Sequence, residues 1–418
     1  MQSSYKYLII GGGAAGVSAA ETIRSIDATG SMAIISDEPY LMYSRVMLSK
    51  PSFFLGKIPF DEIYLKGKEW YSDNHIDFLG GKKAVSCDFQ KKTVTLSDSS
   101  VLQYEKLLIT TGVLARKWKA EGTENKKGIY GLRSLEDGLA IMEAIKTAKK
   151  GLTIGGGFIS FEMADLLNLA KIETTMIIRE SHFWEPTLDE ASGQMIEKAL
   201  TSSGIKIIKN AEVKVVKGAE KVSGAIIKDN KSGKEIEVPC NIIIAGIGVT
   251  NSTGWLKESG LRTNLGILAN EYMETSAPNV WTAGDIAEYK DLLLEENVQM
   301  GNWVNAREQG RIAGLNMTGQ HQAFRFVSFY TTSGCGISIA FVGDVTPGPD
   351  RVVIPRGSPE INSYARLIVV GKELVGATLL NRSSEMTTIS KLIENNVDIS
   401  GHLKELGDAG FDLKGLLV

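Results

Sequence analysis

Residues 5–10 (YKYLII) form a mostly apolar run that stops at three consecutive glycines. Apolar residues then recur at helical spacing over about 14–26, and a second apolar run follows at 32–36. The pattern predicts strand, glycine turn, helix and strand, one βαβ unit. The same order returns at 151–154, 158–170 and 174–178. Between the two units, runs at 83–87, 93–96 and 102–110 predict a hairpin-rich region. After the second unit, strands are expected at 206–208, 213–216, 222–228 and 242–245, and the polar stretch 121–127 reads as a crossing between domains. Beyond Asn251 the pattern stays obscure until an apolar strand at 280–282 that ends in Ala283-Gly284-Asp285, with a helix expected over about 304–317. From about 326 the chain turns β-rich (337–342, 364–370, 374–379), with a helix near 384–394, which reads as a smaller α+β domain.

The glycine turns carry the first chemistry. Gly11-Gly12-Gly13-Ala14-Ala15-Gly16 has the spacing that holds a dinucleotide pyrophosphate on a helix N-terminus, where unpaired N–H groups point outward. Gly11 allows the tight turn, Gly13 lets the backbone approach the phosphate, and Gly16 lets the helix pack on the strand. An acid is wanted at the next strand end, roughly twenty residues on, to hold a ribose hydroxyl; Asp37 and Glu38 stand there. The second turn is Gly155-Gly156-Gly157-Phe158-Ile159-Ser160, in which Ser160 replaces the third glycine and should slightly widen the helix–strand contact. The strand after it ends in Arg179-Glu180. Arg179 could meet the 2′-phosphate of NADPH or be a solvated strand end, and Glu180 could take the ribose hydroxyls of NADH. Two dinucleotide turns on one chain suit hydride transfer between a nicotinamide and a flavin.

Composition narrows the setting. A chain of 418 residues predicts two or three domains. A net charge of −3 argues against general affinity for nucleic acid or anionic membrane. Cys87, Cys240 and Cys335 are far apart and form no CxxC, so neither a disulfide framework nor a metal site is expected. The histidines, His182 among them, have no metal-ligand spacing. The first strand starts within a few residues of Met1, leaving no room for a signal peptide, and no apolar run reaches the ~18 residues of a membrane span. A cytoplasmic protein is the expectation.

The segment Ser36-Asp37-Glu38-Pro39-Tyr40-Leu41-Met42-Tyr43-Ser44-Arg45-Val46-Met47-Leu48-Ser49-Lys50 resembles the E-P-x-L-P-Y-x-R-P-P-L-S-K pattern of the FAD-dependent pyridine nucleotide–disulfide oxidoreductase superfamily. That pattern belongs to ferredoxin and rubredoxin reductases and apoptosis-inducing factor. The Tyr-Ser-Arg-Val-Met-Leu-Ser variant is closer to the flavin domain of NADH-dependent nitrite reductases. Thr110-Thr111-Gly112, Gly155 to Glu162 (G-G-G-F-I-G-L-E in the family), Thr275 to Asp285 and Trp303-x-x-Ala306-x-x-Gln309-Gly310 also match. The paired prolines of the family are Val46 and Met47 here, which loses turn stiffness, and Thr250 replaces a proline in the segment that holds Gly248.

The resemblance implies an α/β fold with two Rossmann-like domains, the second inserted in the first: residues 1–115 and 246–325 for FAD, 116–245 for NAD(P)H and 326–418 as a C-terminal α+β interface domain. A homodimer through that last domain stays open. FAD would be held by Gly11, Gly13, Ala14, Ala15, Gly16, Asp37, Glu38, Arg45, Lys50, Ala84, Thr111, Gly112, Gly284 and Asp285. Asp285 would bond a ribityl hydroxyl, or else serve as a helix N-cap. The nicotinamide nucleotide would be held by Gly155, Gly157, Phe158, Ile159, Arg179 and Gly248. Trp303 would lie against the flavin or acceptor site, or be a core aromatic, at the start of a helix whose N-terminus could stabilise charge on reduced flavin. Lys50 and Glu162 are the expected catalytic pair, meeting near flavin N5.

No cysteine stands where this superfamily places its redox thiols, between the acidic strand end and Ser44. Thiol relay through those positions is excluded. The expected activity is NAD(P)H oxidation through FAD to an external acceptor, a rubredoxin or ferredoxin type carrier. A slow-turnover interaction module like apoptosis-inducing factor and an NADH oxidase are the alternatives.

Overall fold

A computed structural model describes residues 3–417. They fall into two compact units. The first comprises the chain up to Ser44, Asp61–Leu114 and Thr250–Ser328; the second comprises Arg45–Phe60, Ala115–Val249 and Phe329–Val418.

The core of the first unit is a mixed sheet in the order Ile76–Gly80, Met32–Ser36, Ser4–Ile10, Val101–Ile109, Thr93–Leu96, Ala84–Asp88, with Val280–Thr282 also pairing to Val101–Ile109. The central pairs are parallel, and Ile10 sits opposite both Ile35 and Ile109, while Ile109 sits opposite Thr282. The carboxyl ends of these strands therefore finish at one level. Leu8, Ile9, Ile34, Leu107 and Leu108 are fully buried, as expected of parallel strands covered on both faces. Helix Ala14–Ile26 crosses helix Trp303–Met317 at very short range: a Cβ on Gly310 would lie 2.1 Å from the Ala15 carbonyl oxygen. Strand Ile76–Gly80 is an element the apolar pattern does not predict. It is a half-exposed edge strand, and its Asp77 accepts the Tyr5 hydroxyl at 2.7 Å.

The second unit holds a parallel sheet in the order Lys206–Ile208, Glu173–Ile177, Lys150–Ile154, Ile242–Ala245, Ile129–Tyr130. Ile154 sits opposite Ile177 and Ala245, so these carboxyl ends also share one level. A three-stranded meander (Ala211–Lys217, Gly224–Asp229, Glu235–Val238) lies in the same unit. Residues 121–127 pair with it or beside it through Glu121–Val215 and Lys127–Lys221 bridges, so they lie inside this unit. A five-stranded antiparallel sheet follows in the order Phe329–Gly334, Ile337–Gly343, Glu373–Leu380, Ser363–Val370, Arg351–Ser358. Its residues Ile337, Ile339, Tyr364 and Leu380 share a core with Phe161, Met176 and Ile196 of the parallel-sheet part.

Two helices occupy stretches where the apolar pattern predicts nothing. Leu135–Ile145 is opened by a capping box in which the Ser134 hydroxyl accepts the Asp137 N–H and the Asp137 carboxylate accepts the Ser134 N–H. Glu190–Ser202 is capped by Asp189, which accepts the Ser192 N–H at 2.9 Å. Among the described residues no helix is long and apolar enough to cross a membrane.

Candidate functional site

In the first unit, the common level of the strand ends gathers four turns on one edge of the sheet: residues 11–13, 36–38, 110–112 and 283–285. Gly11 has φ +120°, and a Cβ there would lie 2.3 Å from the Thr110 carbonyl oxygen, so only glycine fits. Gly13 is the N-cap of helix Ala14–Ile26; it has no side-chain cap, no acid follows in the first turn, and nothing stands within 4 Å of where its Cβ would be. The space in front of Gly13, at the start of the helix, is thus open. Asp37 is exposed, and Glu38 is half-buried and accepts the Tyr43 hydroxyl at 2.7 Å. Ala84 is buried at the start of its strand, and the neighbouring Gly81 N–H and Lys82 N–H bond the carbonyls of Glu38 and Ser36. The Thr111 hydroxyl is buried with no partner among the described residues, and Gly112 has φ +64°.

Gly284 has φ +81°, and its N–H donates to the Gln309 side-chain oxygen at 2.7 Å. This bond anchors the turn that presents Asp285. The N-cap reading of Asp285 is corrected here: its turn runs into strand Ala287–Lys290, not into a helix. The Asp285 carboxylate instead lies beside Gly301, whose Cβ would be 3.3 Å from Oδ1, just ahead of helix Trp303–Met317. Trp303 is half-buried at the first position of that helix and packs against the core of the unit.

The second unit repeats the arrangement. Gly155 has φ +113°, and a Cβ there would lie 2.4 Å from the Gly246 carbonyl oxygen. Gly157 is the N-cap of helix Phe158–Leu169, again without a side-chain cap, without an acid in the first turn and with nothing within 4 Å of its missing Cβ. Ile159 and Phe158 are half-buried in that first turn, and Phe158 packs on Trp184 and Tyr330 with ring centroids 4.0 and 3.8 Å away. Gly248 is exposed with φ +90°. Arg179 is 77% exposed and lies 3.3 Å from Glu180. Glu180 is turned back toward the glycine turn: a Cβ on Gly156 would be 3.9 Å from its Oε2.

Ser160 does not simply widen the helix–strand contact. Its hydroxyl is buried in it and donates toward the carbonyls of Ile154 (2.9 Å) and Gly246 (3.2 Å). In the first unit Gly16 makes the room, and the strand-side Thr110 hydroxyl reaches the carbonyls of Ile10 and Gly11 at 3.0 and 3.1 Å. The two crossings carry the same hydroxyl from opposite sides.

Arg45 and Lys50 lie in the second unit, on the segment that joins it at residue 45. Arg45 donates to the Arg133 carbonyl at 2.5 Å. Lys50, N-cap of the short helix Pro51–Phe54, sets its Nζ 2.5 Å from Glu162 Oε1. Glu162 is 1% exposed and Lys50 30%. A carboxylate that deeply buried needs its cation. The Thr332 hydroxyl also donates to Glu162 Oε1 at 2.5 Å, and Glu162 Oε2 finds no hydrogen-bond partner among the described residues. Burial first, and the Glu162 charge second, push the Tyr330 phenol upward. Neither Thr332 nor Tyr330 carries a signal in the sequence motifs; their strand, Phe329–Gly334, is itself not predicted by the pattern.

All three cysteines are free; Cys87 and Cys240 are buried and Cys335 half-buried. Burial pushes each thiol up to about 12, with the Asp165 charge adding to it at Cys335. At neutral pH they are protonated and poor nucleophiles.

Two uncapped helix N-termini, each fronted by open glycine, fit two dinucleotide pyrophosphates, and the buried Thr111 hydroxyl and Glu162 Oε2 are polar atoms that still want partners. That pair of cradles suits a protein that holds two dinucleotides. Residues 5–310 match the family described as pyridine nucleotide-disulphide oxidoreductase, and the chain belongs to it. Its cofactors are FAD and NADH or NADPH, and its class is NAD(P)H-dependent flavoprotein reductase. The nitrite reductase [NAD(P)H] of Bacillus subtilis is 26% identical over 94% of the chain, which spans 48% of that protein, about half its length. The NADH-rubredoxin oxidoreductase of Clostridium acetobutylicum is 28% identical over 94% of the chain and 95% of its own length. The fold matches the reductase in a covalent putidaredoxin reductase–putidaredoxin crystal structure with a TM-score of 0.91 at 24% identity, over 99% of this chain and 98% of that one.

Proposed function

We propose that this protein oxidises NADH and passes the electrons, through FAD and without a protein thiol, to a small iron–sulfur or rubredoxin-type carrier. The balance is NADH plus two oxidised carriers giving NAD⁺, a proton and two reduced carriers. When bound, FAD accepts a hydride and releases its two electrons singly. In this reading the first unit holds FAD on the Gly11–Gly16 turn, and the second holds the nucleotide on the Gly155–Gly157 turn.

The observation that carries the reading is Glu162. It lies one turn into the helix that the second glycine turn opens, it is buried, and its Oε2 still lacks a donor. A nicotinamide carboxamide supplies an N–H donor of the right kind. Lys50 pairs with Oε1 and leaves Oε2 to accept. Glu180 favours NADH: its carboxylate lies against the glycine turn, where it accepts ribose hydroxyls and repels a 2′-phosphate, while the largely exposed Arg179 pairs with Glu180 itself at 3.3 Å. The carrier is supported by the NADH-rubredoxin oxidoreductase likeness, which runs nearly end to end.

The test is anaerobic carrier reduction. Protein loaded with FAD is mixed with NADH and either oxidised rubredoxin or a [2Fe–2S] ferredoxin, and the carrier's own absorbance is followed. The expected result is carrier reduction that saturates with carrier concentration. Peroxide formation in air with no carrier reduced, or a long-lived coloured complex with no turnover, contradicts the proposal.

A further inference from the structure

The hairpin of strands Phe329–Gly334 and Ile337–Gly343 reaches helix Phe158–Leu169 at two points. At the first, the Thr332 hydroxyl donates to Glu162 Oε1 at 2.5 Å, the same oxygen that takes Lys50 Nζ at 2.5 Å. At the second, about one turn along the helix, the N–H and the thiol of Cys335 both donate to Asp165 Oδ1 at 3.2 Å. Asp165 is 7% exposed, and a Cβ on Gly334 would lie 2.9 Å from its Oδ2, so the hairpin turn is drawn tightly onto this second carboxylate. The turn itself, Cys335-Gly336, has φ +50° and +75°, the two-residue geometry that matches strand twist. The hairpin is thus tied to the helix independently of Thr332.

The two donors to Glu162 are not equivalent. Lys50 is a mobile ammonium on a flexible stem, 30% exposed, and can follow the carboxylate as it turns. Thr332 is 5% exposed, β-branched and set in a strand, so its hydroxyl has a fixed direction. With both donors on Oε1, Oε2 is left as the sole free acceptor.

We propose that Thr332 is a positioning residue for the nicotinamide: it pins Glu162 Oε1 and so turns Oε2 toward the carboxamide. The proposal rests on the reading of Glu162 as the nucleotide's partner. Lys50 alone holds the charge; Thr332 sets which oxygen the substrate meets.

The test compares Thr332→Val, which keeps shape and loses the hydroxyl, with Thr332→Ser, which restores it. On FAD-loaded oxidised protein, NAD⁺ binding is measured by calorimetry, and KM and kcat for NADH with ferricyanide as acceptor. Thr332→Val is expected to weaken NAD⁺ binding and raise the NADH KM by about tenfold, the worth of one hydrogen bond to a charged group. The visible flavin spectrum and the ferricyanide KM stay as in the wild type, and Thr332→Ser returns to within about threefold of it. If Thr332→Val does not fold, Thr332→Ala takes its place with the same expectations. Wild-type NAD⁺ binding by Thr332→Val while Glu162→Gln loses it overturns the proposal, and so does a Thr332→Ser variant no better than Val. Wild-type binding by Glu162→Gln removes the underlying reading of Glu162 itself.

Discussion

Ser160 and Gly246 fill one another's space: the missing Cβ of Gly246 is where the Ser160 hydroxyl sits, 2.5 Å from a Cβ built there. The serine donates to the backbone on either side of the second nucleotide turn, at Ile154 and Gly246. In the first turn the partners exchange roles, with Gly16 yielding and Thr110 donating. A departure from the third glycine is thus accommodated by a glycine on the neighbouring strand end.

The pair should therefore behave as a coupled unit. Gly246→Ala is expected to destabilise the protein by about 1–3 kcal/mol through overpacking. Ser160→Gly is expected to cost about 1 kcal/mol through its lost hydrogen bonds. In the double variant the penalties add to less than their sum, because the hydroxyl that clashes with the new methyl is gone. Relief is partial, since that Cβ would also lie 3.0 Å from the Ser160 backbone nitrogen. Denaturant unfolding of the two single variants and the double variant measures the coupling; strict additivity would refute it.

Lys50→Ala leaves Glu162 buried without its cation. The variant should retain FAD, since the Gly11–Gly16 cradle lies in the other unit. Its flavin should be reduced by NADH on the order of tenfold or more slowly, because the acceptor carboxylate loses the charge-assisted bond that holds it in place. Stopped-flow rates equal to wild type would remove Lys50 from the chemistry.

Glu180 should set nucleotide choice. The wild type is expected to use NADH at least about tenfold better than NADPH in kcat/KM, and Glu180→Gln should reduce that preference by relieving the charge repulsion on a 2′-phosphate. The variant's NADPH activity should rise while its NADH activity falls. A variant that loses both in proportion would show that Glu180 has only a structural part.

The thiols should be inert in the native state. With Cys87, Cys240 and Cys335 each pushed up to about 12, thiolate is scarce until pH approaches that value. A thiol-specific disulfide reagent at pH 8 should label the native protein slowly and the denatured protein completely. Rapid native labelling of any one of them would contradict the burial argument.

What could be read from the sequence follows from how local the determinants are. The strand–glycine–helix units were legible because Gly11, Gly13, Gly155 and Gly157 act through their own backbones, within a few residues of the strand they follow. The Lys50–Glu162 pair, 112 positions apart, was visible only through family resemblance, since nothing in residue type links them. Thr332, 170 positions from Glu162, lies on a strand with no motif and could not be found. Helix Leu135–Ile145 was legible in principle, because Ser134 and Asp137 spell its capping box, but its apolar face is narrow: only Leu135, Gly138 and Ile141 are buried. Edge strand Arg351–Ser358 hides because Val352 and Val353 are both exposed and Pro355 interrupts it. The cap alternative for Asp285 stayed open in the sequence because Gly-Asp after a strand can open either a helix or a tight turn; Gln309, holding the Gly284 N–H, goes with the turn.

The absence of sulfur from the electron path is tested most directly by counting reducing equivalents. Anaerobic titration of the FAD-loaded protein with NADH should bleach the flavin fully at one NADH per FAD, the two electrons a flavin accepts. A requirement for two NADH per FAD would reveal a second two-electron centre, a redox-active disulfide, and would contradict the account.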